Sequence, residues 1–331
     1  MVETAKKTIL VTGGAGFIGS NFILYMLRKY PNYDVVNLDS LTYAGNLDNL
    51  KGVEEKFKDR YKFIKGDICD ESLVDAVMSD IDIVVHFAAE SHVDNSIKDP
   101  DIFLKTNVFG THNLLKYALK HNIKRFHHVS TDEVFGALGL LGDKFSESSP
   151  YDPRSPYAAS KASSDHIVRS YYHTYGLPVT ISNCSNNYGP YQFPEKIIPL
   201  FIINALNDKP LPVYGDGKSV RDYIFVEDHC RGIDEVIHKG KVGETYCIGG
   251  ESERNGLEIA ETVIAALGKP RSLIQFVEDR LGHDRRYAIN NSKAKKDLGW
   301  ELKVSFEDGI KQTINWYLEN SEWVKNLERN K

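Results

Sequence analysis

Three features of this 331-residue sequence predict an α/β fold built on a doubly wound parallel sheet. Short apolar β-like runs alternate with helical patterns through roughly the first 180 residues. A glycine-rich turn, Thr12-Gly13-Gly14-Ala15-Gly16-Phe17-Ile18-Gly19, separates the first run from the first helical pattern. An acidic residue, Asp39, follows the second run directly. Strands that alternate with helices in this way form βαβ units, and their crossovers are right-handed almost without exception.

Each element has its own signature. Residues 8–11, 34–38, 62–65, 83–87, 125–129 and 179–183 are short, apolar and rich in β-branched side chains, as strands covered on both faces should be. Between them, residues 17–28, 72–78, 101–121 and 156–175 carry helical periodicity. The pattern changes after residue 185. Prolines and glycines crowd the stretch from Gly189 to Gly217. Strand-like pieces follow at 222–226, 245–248 and 273–276. Helical patterns recur at 196–207, 228–239, 256–267, 292–298 and 305–320. We expect a Rossmann-type domain over 1–185 and a smaller C-terminal α/β region over 186–331, with some segments of the second returning to the first. No linker rich in glycine, serine or proline divides them, so a cleft between the two is expected.

Composition narrows the function. A net charge of −5 gives no support for a nucleic-acid partner. No apolar run approaches the roughly 20 residues that span a bilayer, and the N-terminal stretch lacks an apolar signal region. Cys69, Cys184, Cys230 and Cys247 form no CxxC pair. They are read as free thiols, with neither a disulfide nor a metal site. A cytoplasmic protein is expected.

The glycine turn fits two overlapping templates, through Gly14, Gly16 and Gly19 and through Gly13, Gly16 and Gly19. Glycines there permit a tight turn and a close approach of backbone to pyrophosphate, and the helix start offers free N–H groups to the anion. Asp39 lies 20 residues past Gly19, where a carboxylate accepts from the adenosine ribose hydroxyls. It would repel the extra phosphate of NADP, and no arginine follows in Ser40-Leu41-Thr42-Tyr43. NAD is the expected cofactor, and 1–185 the NAD-binding domain. Asp67 and Ile68 after the third strand, and Ala88, Ala89 and Ser91 after the fourth, are expected along its path. Gly13, Gly16, Phe17, Ile18, Gly19, Asp39, Ser40, Thr42, Thr106, Tyr157, Lys161 and Asn187 complete the assigned cofactor set.

The catalytic pattern lies in Val129-Ser130-Thr131-Asp132-Glu133 and Tyr157-Ala158-Ala159-Ser160-Lys161. Tyr157 and Lys161 are one helical turn apart and share a face. An ammonium beside a phenol, together with the positive nicotinamide ring, favours phenolate, so Tyr157 is expected to take a proton from a substrate hydroxyl. Hydride transfer needs only a hydroxyl, a phenol and a lysine. The adjacent carboxylates Asp132 and Glu133 are left over, which points to proton chemistry beyond it.

These motifs, with Asn186-Asn187-Tyr188-Gly189-Pro190 and Lys295-Lys296-Asp297-Leu298-Gly299-Trp300, resemble the extended short-chain dehydrogenase/reductases that act on nucleotide sugars. The likeness covers essentially the whole chain. Thr131-Asp132-Glu133, the stretch from Tyr188 to Lys196 and the stretch from Asp279 to Tyr287 resemble the members that dehydrate dTDP-glucose. The resemblance implies oxidation at carbon 4, loss of water across carbons 5 and 6, and reduction at carbon 6 by the same NAD. It makes Glu133 the base, Asp132 the acid and Thr131 a partner of the carbon-4 hydroxyl. It places Ser91, Thr131, Asn186, Glu195, Lys196, Pro212, Tyr214, Arg221, Asn255, Arg280 and His283 on the substrate, so that 186–331 is mainly the substrate-binding domain. It also implies a homodimer through the 101–121 and 156–175 helices. The competing readings are a dehydratase for another nucleotide sugar, a 4-epimerase, and a non-catalytic NAD sensor. The acidic pair argues against the epimerase, and an intact Thr131, Tyr157 and Lys161 against the sensor.

Overall fold

The computed structural model describes residues 6–279 and 284–329. Its main layer is a seven-stranded sheet. The order is β10-β6-β5-β4-β1-β2-β3, formed by β1 (Lys7–Thr12), β2 (Tyr33–Asp39), β3 (Tyr61–Lys65), β4 (Ile83–His86), β5 (Arg125–Thr131), β6 (Val179–Cys184) and β10 (Thr245–Ile248). Every neighbouring pair is parallel. From β1 the chain winds one way to β3, then crosses to β4 and winds the other way. The carboxyl ends of β1 and β4 therefore border the switch point, where crevices of such sheets lie.

Both faces of the sheet are covered, which explains the near-continuous apolar strands. On one face, Phe22, Ile23 and Met26 of α1 (Phe17–Lys29) and Cys230, Ile233 and Ile237 of α9 (Val226–Lys239) pack on Ile9, Val11, Val35 and Val85, beside Val53 of the short α2 (Val53–Phe57). On the other, Val74 and Met78 of α3 (Glu71–Met78), Leu114 and Leu115 of α6 (Thr111–Lys120) and Val168 of α7 (Pro156–Tyr175) cover Leu10, Leu38, Val84 and Ile181. Ile9, Leu10 and Val11 alternate between the two faces, as the period of two requires.

A second core lies beyond β6. It joins α8 (Ile197–Leu206), α10 (Gly256–Leu267), α12 (Phe306–Glu319) and α13 (Ser321–Arg329) through Phe201, Ile202, Ile259, Val263, Ile310 and Trp323. Two small sheets border it. One runs β11-β9-β7, formed by β7 (Asn186–Tyr188), β9 (Val220–Phe225) and β11 (Glu253–Asn255). The other pairs β8 (Leu211–Tyr214) with β12 (Ile274–Val277). α11 (Ser292–Leu298) packs against β10 and α9.

The structure departs from the single helix expected at 101–121. After α4 (Val93–Lys98) and α5 (Pro100–Phe103), residues Leu104–Gly110 form a π-helical turn that leads into α6. Such wide turns recur at functional sites. This one carries Asn107, whose Oδ1 accepts from the Glu90 N–H at 2.9 Å. Its Nδ2 donates to Glu90 O at 3.0 Å and Ser160 Oγ at 2.9 Å. The turn thus ties the loop after β4 to α7.

Among the described residues, four histidines are sealed inside the fold: His86, His127, His128 and His229. Thr111 Oγ1 gives its proton to Asn107 O at 2.6 Å, so it accepts from His86 Nε2 at 2.9 Å. His86 Nδ1 then accepts from Thr12 Oγ1 at 2.7 Å. A protonated ring could not accept that bond. Burial holds all four rings below the ordinary imidazole range, His128 at about 4 and His229 at about 3. Because the folded values are depressed, this stability is complete above the unfolded value of about 6.5 and is lost as pH falls toward about 4. We expect the urea midpoint to be level from neutral to mildly alkaline pH and to fall once pH drops below about 6.5. An unchanged midpoint at pH about 5 would show the rings protonated within the fold.

Candidate active site

A cleft of about 730 Å³ opens at the carboxyl ends of the main sheet, between it and the second core. Its walls divide into a dinucleotide half, a reacting centre and a substrate half.

In the dinucleotide half, Gly13 turns the chain with φ +72°, and a Cβ there would stand 2.6 Å from Ala88 N. Only glycine lets β1 come this close to the end of β4. α1 starts at the adjacent turn with no side-chain cap and no acidic residue in its first turn. Its free N–H groups and positive dipole end therefore serve the cleft. Asp39 accepts from the Ala15 N–H at 2.9 Å and the Leu41 N–H at 2.8 Å, which fixes its carboxylate beside the turn. Burial raises its pKa, and those two backbone bonds oppose the rise. All of the residues assigned to the cofactor line this cleft, from Gly13 to Asn187, including Thr106 on the π turn. This donor set fits a dinucleotide: uncapped N–H groups for a pyrophosphate and an anchored carboxylate for a ribose.

The reacting centre gathers at the end of β5. Thr131 caps a 3-10 turn, Asp132–Phe135, by accepting from the Glu133 N–H at 3.3 Å. Gly136 closes the turn at φ +82°. The turn sends its two carboxylates in different directions. Glu133 lines the cleft with Thr131, Tyr157 and Lys161. Asp132 is turned inward and sealed, with Oδ2 lacking any hydrogen-bond partner. Burial first, then the charges of Glu133 and Asp222, push the Asp132 carboxyl well above the usual carboxylate range. It is a neutral acid beside a cleft-facing carboxylate.

Tyr157 and Lys161 meet this turn from α7. The Lys161 ammonium donates to Val129 O at 2.8 Å. Burial and the Glu133 charge hold Tyr157 well above the ordinary tyrosine value, while the Thr131 hydroxyl works the other way.

In the substrate half, Ser91, Asn186, Glu195, Lys196, Pro212, Tyr214 and Arg221 line the cleft. Asn186 Oδ1 is buried without a partner. Glu195 and Lys196 sit at the seam with the dinucleotide half. Tyr43 OH donates to Glu195 at 3.4 Å, and Lys196 Nζ donates to Ser91 O at 3.2 Å. Asn255 is not among the residues that line the cleft, although its neighbour Gly256 is. The Asn255 Oδ1 accepts from the Glu258 N–H at 2.9 Å in a capping box that starts α10, which is what an Asn at a helix start does. Arg280 and His283 lie outside the described residues.

Sequence reading missed several lining groups, including Arg154, Cys184, Gln192, Asp284 and Tyr287. Arg221 stacks on the Tyr287 ring at 4.3 Å. Tyr287 OH donates to Asp284 Oδ2, and Asp284 Oδ1 lies 3.6 Å from Arg154 Nη1. The stretch from Asp279 to Tyr287 had been singled out, but spacing cannot show which of its side chains turn inward.

Comparison with known proteins agrees with this geometry. The family model for GDP-mannose 4,6 dehydratase matches residues 10–313. A dTDP-glucose 4,6-dehydratase of Xanthomonas campestris pv. campestris (strain B100) is 54% identical over 340 residues, covering 97% of this chain and 95% of that protein. The structure of a dTDP-glucose 4,6-dehydratase from Streptomyces venezuelae with NAD and TYD bound is 48% identical. It matches with a TM-score of 0.94 over 97% of this chain and 99% of that one. A third, from Bacillus anthracis str. Ames in complex with NAD, is 50% identical with a TM-score of 0.90, covering 97% of this chain and 99% of that one. The chain belongs to this family of nucleotide-sugar dehydratases, among the dTDP-glucose 4,6-dehydratases.

Proposed function

We propose that this chain is an NAD-dependent hydro-lyase that converts dTDP-glucose to dTDP-4-keto-6-deoxyglucose and water. The observation that carries the reading is the pair at the end of β5. Asp132 is sealed and neutral, and Glu133 opens on the cleft beside Tyr157 and Lys161. An acid and a base held in different protonation states are what an elimination needs.

NAD bound along the glycine turn supplies a hydride acceptor for carbon 4 and then a hydride donor for carbon 6. The protein's own groups move the protons. Thr131 holds the carbon-4 hydroxyl, and Tyr157 takes its proton as a phenolate, a form that the positive charge of a bound nicotinamide would favour against burial, so the carbon becomes a ketone as the hydride leaves it. The ketone acidifies the neighbouring carbon-5 hydrogen. Glu133 removes that hydrogen, and Asp132, once its carboxyl turns from its sealed position to the cleft, protonates the departing carbon-6 hydroxyl; after carbon 6 is reduced, Glu133 returns its proton to carbon 5. Arg221 meets the substrate diphosphate with a planar fork that suits two oxygens at once. Asn186 faces the sugar side with an acceptor still to be satisfied.

The first half of the chain serves mainly the cofactor and the second mainly the substrate. The product is a precursor of deoxysugars such as rhamnose. We place the enzyme in the cytoplasm as a homodimer, paired through the faces around α5 to α7. Exposed Leu104, Phe109 and Tyr175 support that pairing. No helix among the described residues is long and apolar enough to cross a membrane.

Incubation with dTDP-glucose should yield the alkali-induced absorbance of a 4-keto-6-deoxy sugar, with UDP-glucose turned over far more slowly. Preference for the UDP sugar would sink the assignment. E133Q should slow dehydration about 10²–10⁴-fold while reduced cofactor still forms. Unchanged turnover would remove Glu133 as the base. Y157F should suppress formation of reduced cofactor itself, read by its absorbance in a single turnover. G13A pushes a Cβ against Ala88; its NAD content after purification should fall sharply, and full occupancy would mean the turn can shift.

A further inference from the structure

Asp165 stands one helical turn beyond Lys161 and two beyond Tyr157, on the same face of α7. It is fully buried, and so is nearly all of Lys161. A buried ammonium needs a counter-charge, and the other groups around this one do not supply it. Asp132 is held neutral by burial and Glu133. Burial likewise keeps the Cys184 thiol neutral, pushed up to about 12. His86 on β4 and His128 on β5 are neutral rings, and the Tyr157 phenol keeps its proton. Glu133 opens on the cleft. Arg169, the nearest other cation on α7, is tied to Tyr151 OH at 2.8 Å and Thr245 Oγ1 at 3.1 Å.

Asp165 is also fixed in place. Its Oδ2 accepts from Tyr151 OH at 2.8 Å, Ser130 Oγ at 2.9 Å and Asn183 Nδ2 at 3.4 Å. Asn183 Nδ2 also donates to Thr131 O at 3.0 Å. Lys161 takes Val129 O and Asp165 takes Ser130 Oγ, so the helix grips two consecutive residues of β5 with two opposite charges, and Asn183 on β6 links Asp165 to Thr131.

We propose that Asp165 is a positioning residue of the hydride step: its carboxylate, one turn along the same buried face, is the counter-charge of the Lys161 ammonium and holds Ser130, and through Asn183 Thr131, against the catalytic helix. Its charge partners fit this role. Lys161 is pulled down by burial, with Asp165 opposing that pull. Asp165 itself is held below the usual range against its own burial, with Lys161 among the groups that lower it. The inference rests on the reading of Tyr157 and Lys161 as the hydride machinery.

The test compares D165N and D165E with the parent enzyme in the pH profile of kcat for dTDP-glucose. D165N is close in shape. Its amide oxygen can accept from Ser130 and Tyr151, and its NH₂ would face His128 Nε2, which stands 3.3 Å from Oδ1 without an aligned bond. With the charge gone, Lys161 loses its proton at lower pH. The alkaline limb of kcat should then move down by about one pH unit or more, and the rate of reduced-cofactor formation in a single turnover should show the same displacement. D165E keeps the charge and should leave the limb in place even if the rate falls. An unmoved limb in D165N, or an equal displacement in D165E, would overturn the proposal and make Asp165 merely structural. Absence of turnover in the parent enzyme is a separate result, which would instead sink the assigned function.

Discussion

A hydrogen bond shut away from water joins the Lys161 ammonium to Val129 O. It sets the distance between the end of β5 and the start of α7, and the reacting groups are distributed between those two elements. Thr131, Asp132 and Glu133 follow Val129 within four residues. Tyr157 precedes Lys161 by one turn. Movement of the helix along the sheet would separate the phenol from the hydroxyl and the carboxylates together. The neighbouring packing agrees with this reading. Asn107 on the π turn binds Ser160, Asn183 holds Thr131 O, and Ser155 caps α7.

The second principle of the site is graded access to water. Two adjacent carboxylates of the same chemistry differ because one residue of a 3-10 turn faces inward and the next outward. The inward one lacks a partner for one oxygen and is surrounded by other acidic groups, so it keeps its proton. No metal ion needs to be invoked to separate their roles, since burial and like charge suffice.

Much of this was legible in the sequence. The covered parallel strands, the glycine turn, Asp39 and the Tyr157/Lys161 spacing all depend on local pattern, and local pattern is what a sequence displays. What was missed depends on tertiary contacts. The π turn has the same apolar spacing as an α-helix, and the bonds of Asn107 to Glu90 and Ser160 accompany its different geometry. β7 and β11 are three residues each and exist only as partners of β9. Asn255 was placed on the substrate by likeness, and spacing did not show that its Oδ1 also starts a helix. Burial and Glu133 also act on the Tyr157 phenol, and the spacing of Tyr157 and Lys161 shows neither.

Strand β10 and helix α9 have a further meaning for how the molecule is made. The main sheet takes its last strand from Thr245–Ile248. One of its faces is covered in part by Val226, Cys230, Ile233 and Ile237, which lie against strands that begin at Lys7. A ribosome therefore releases the whole glycine turn and both catalytic segments before it has made the residues that cover them. Until α9 emerges an apolar face stays wet, and until β10 follows it β6 remains an open edge, the condition in which chains pair wrongly. The nucleotide-binding half is thus first in order of synthesis but cannot be first to finish folding.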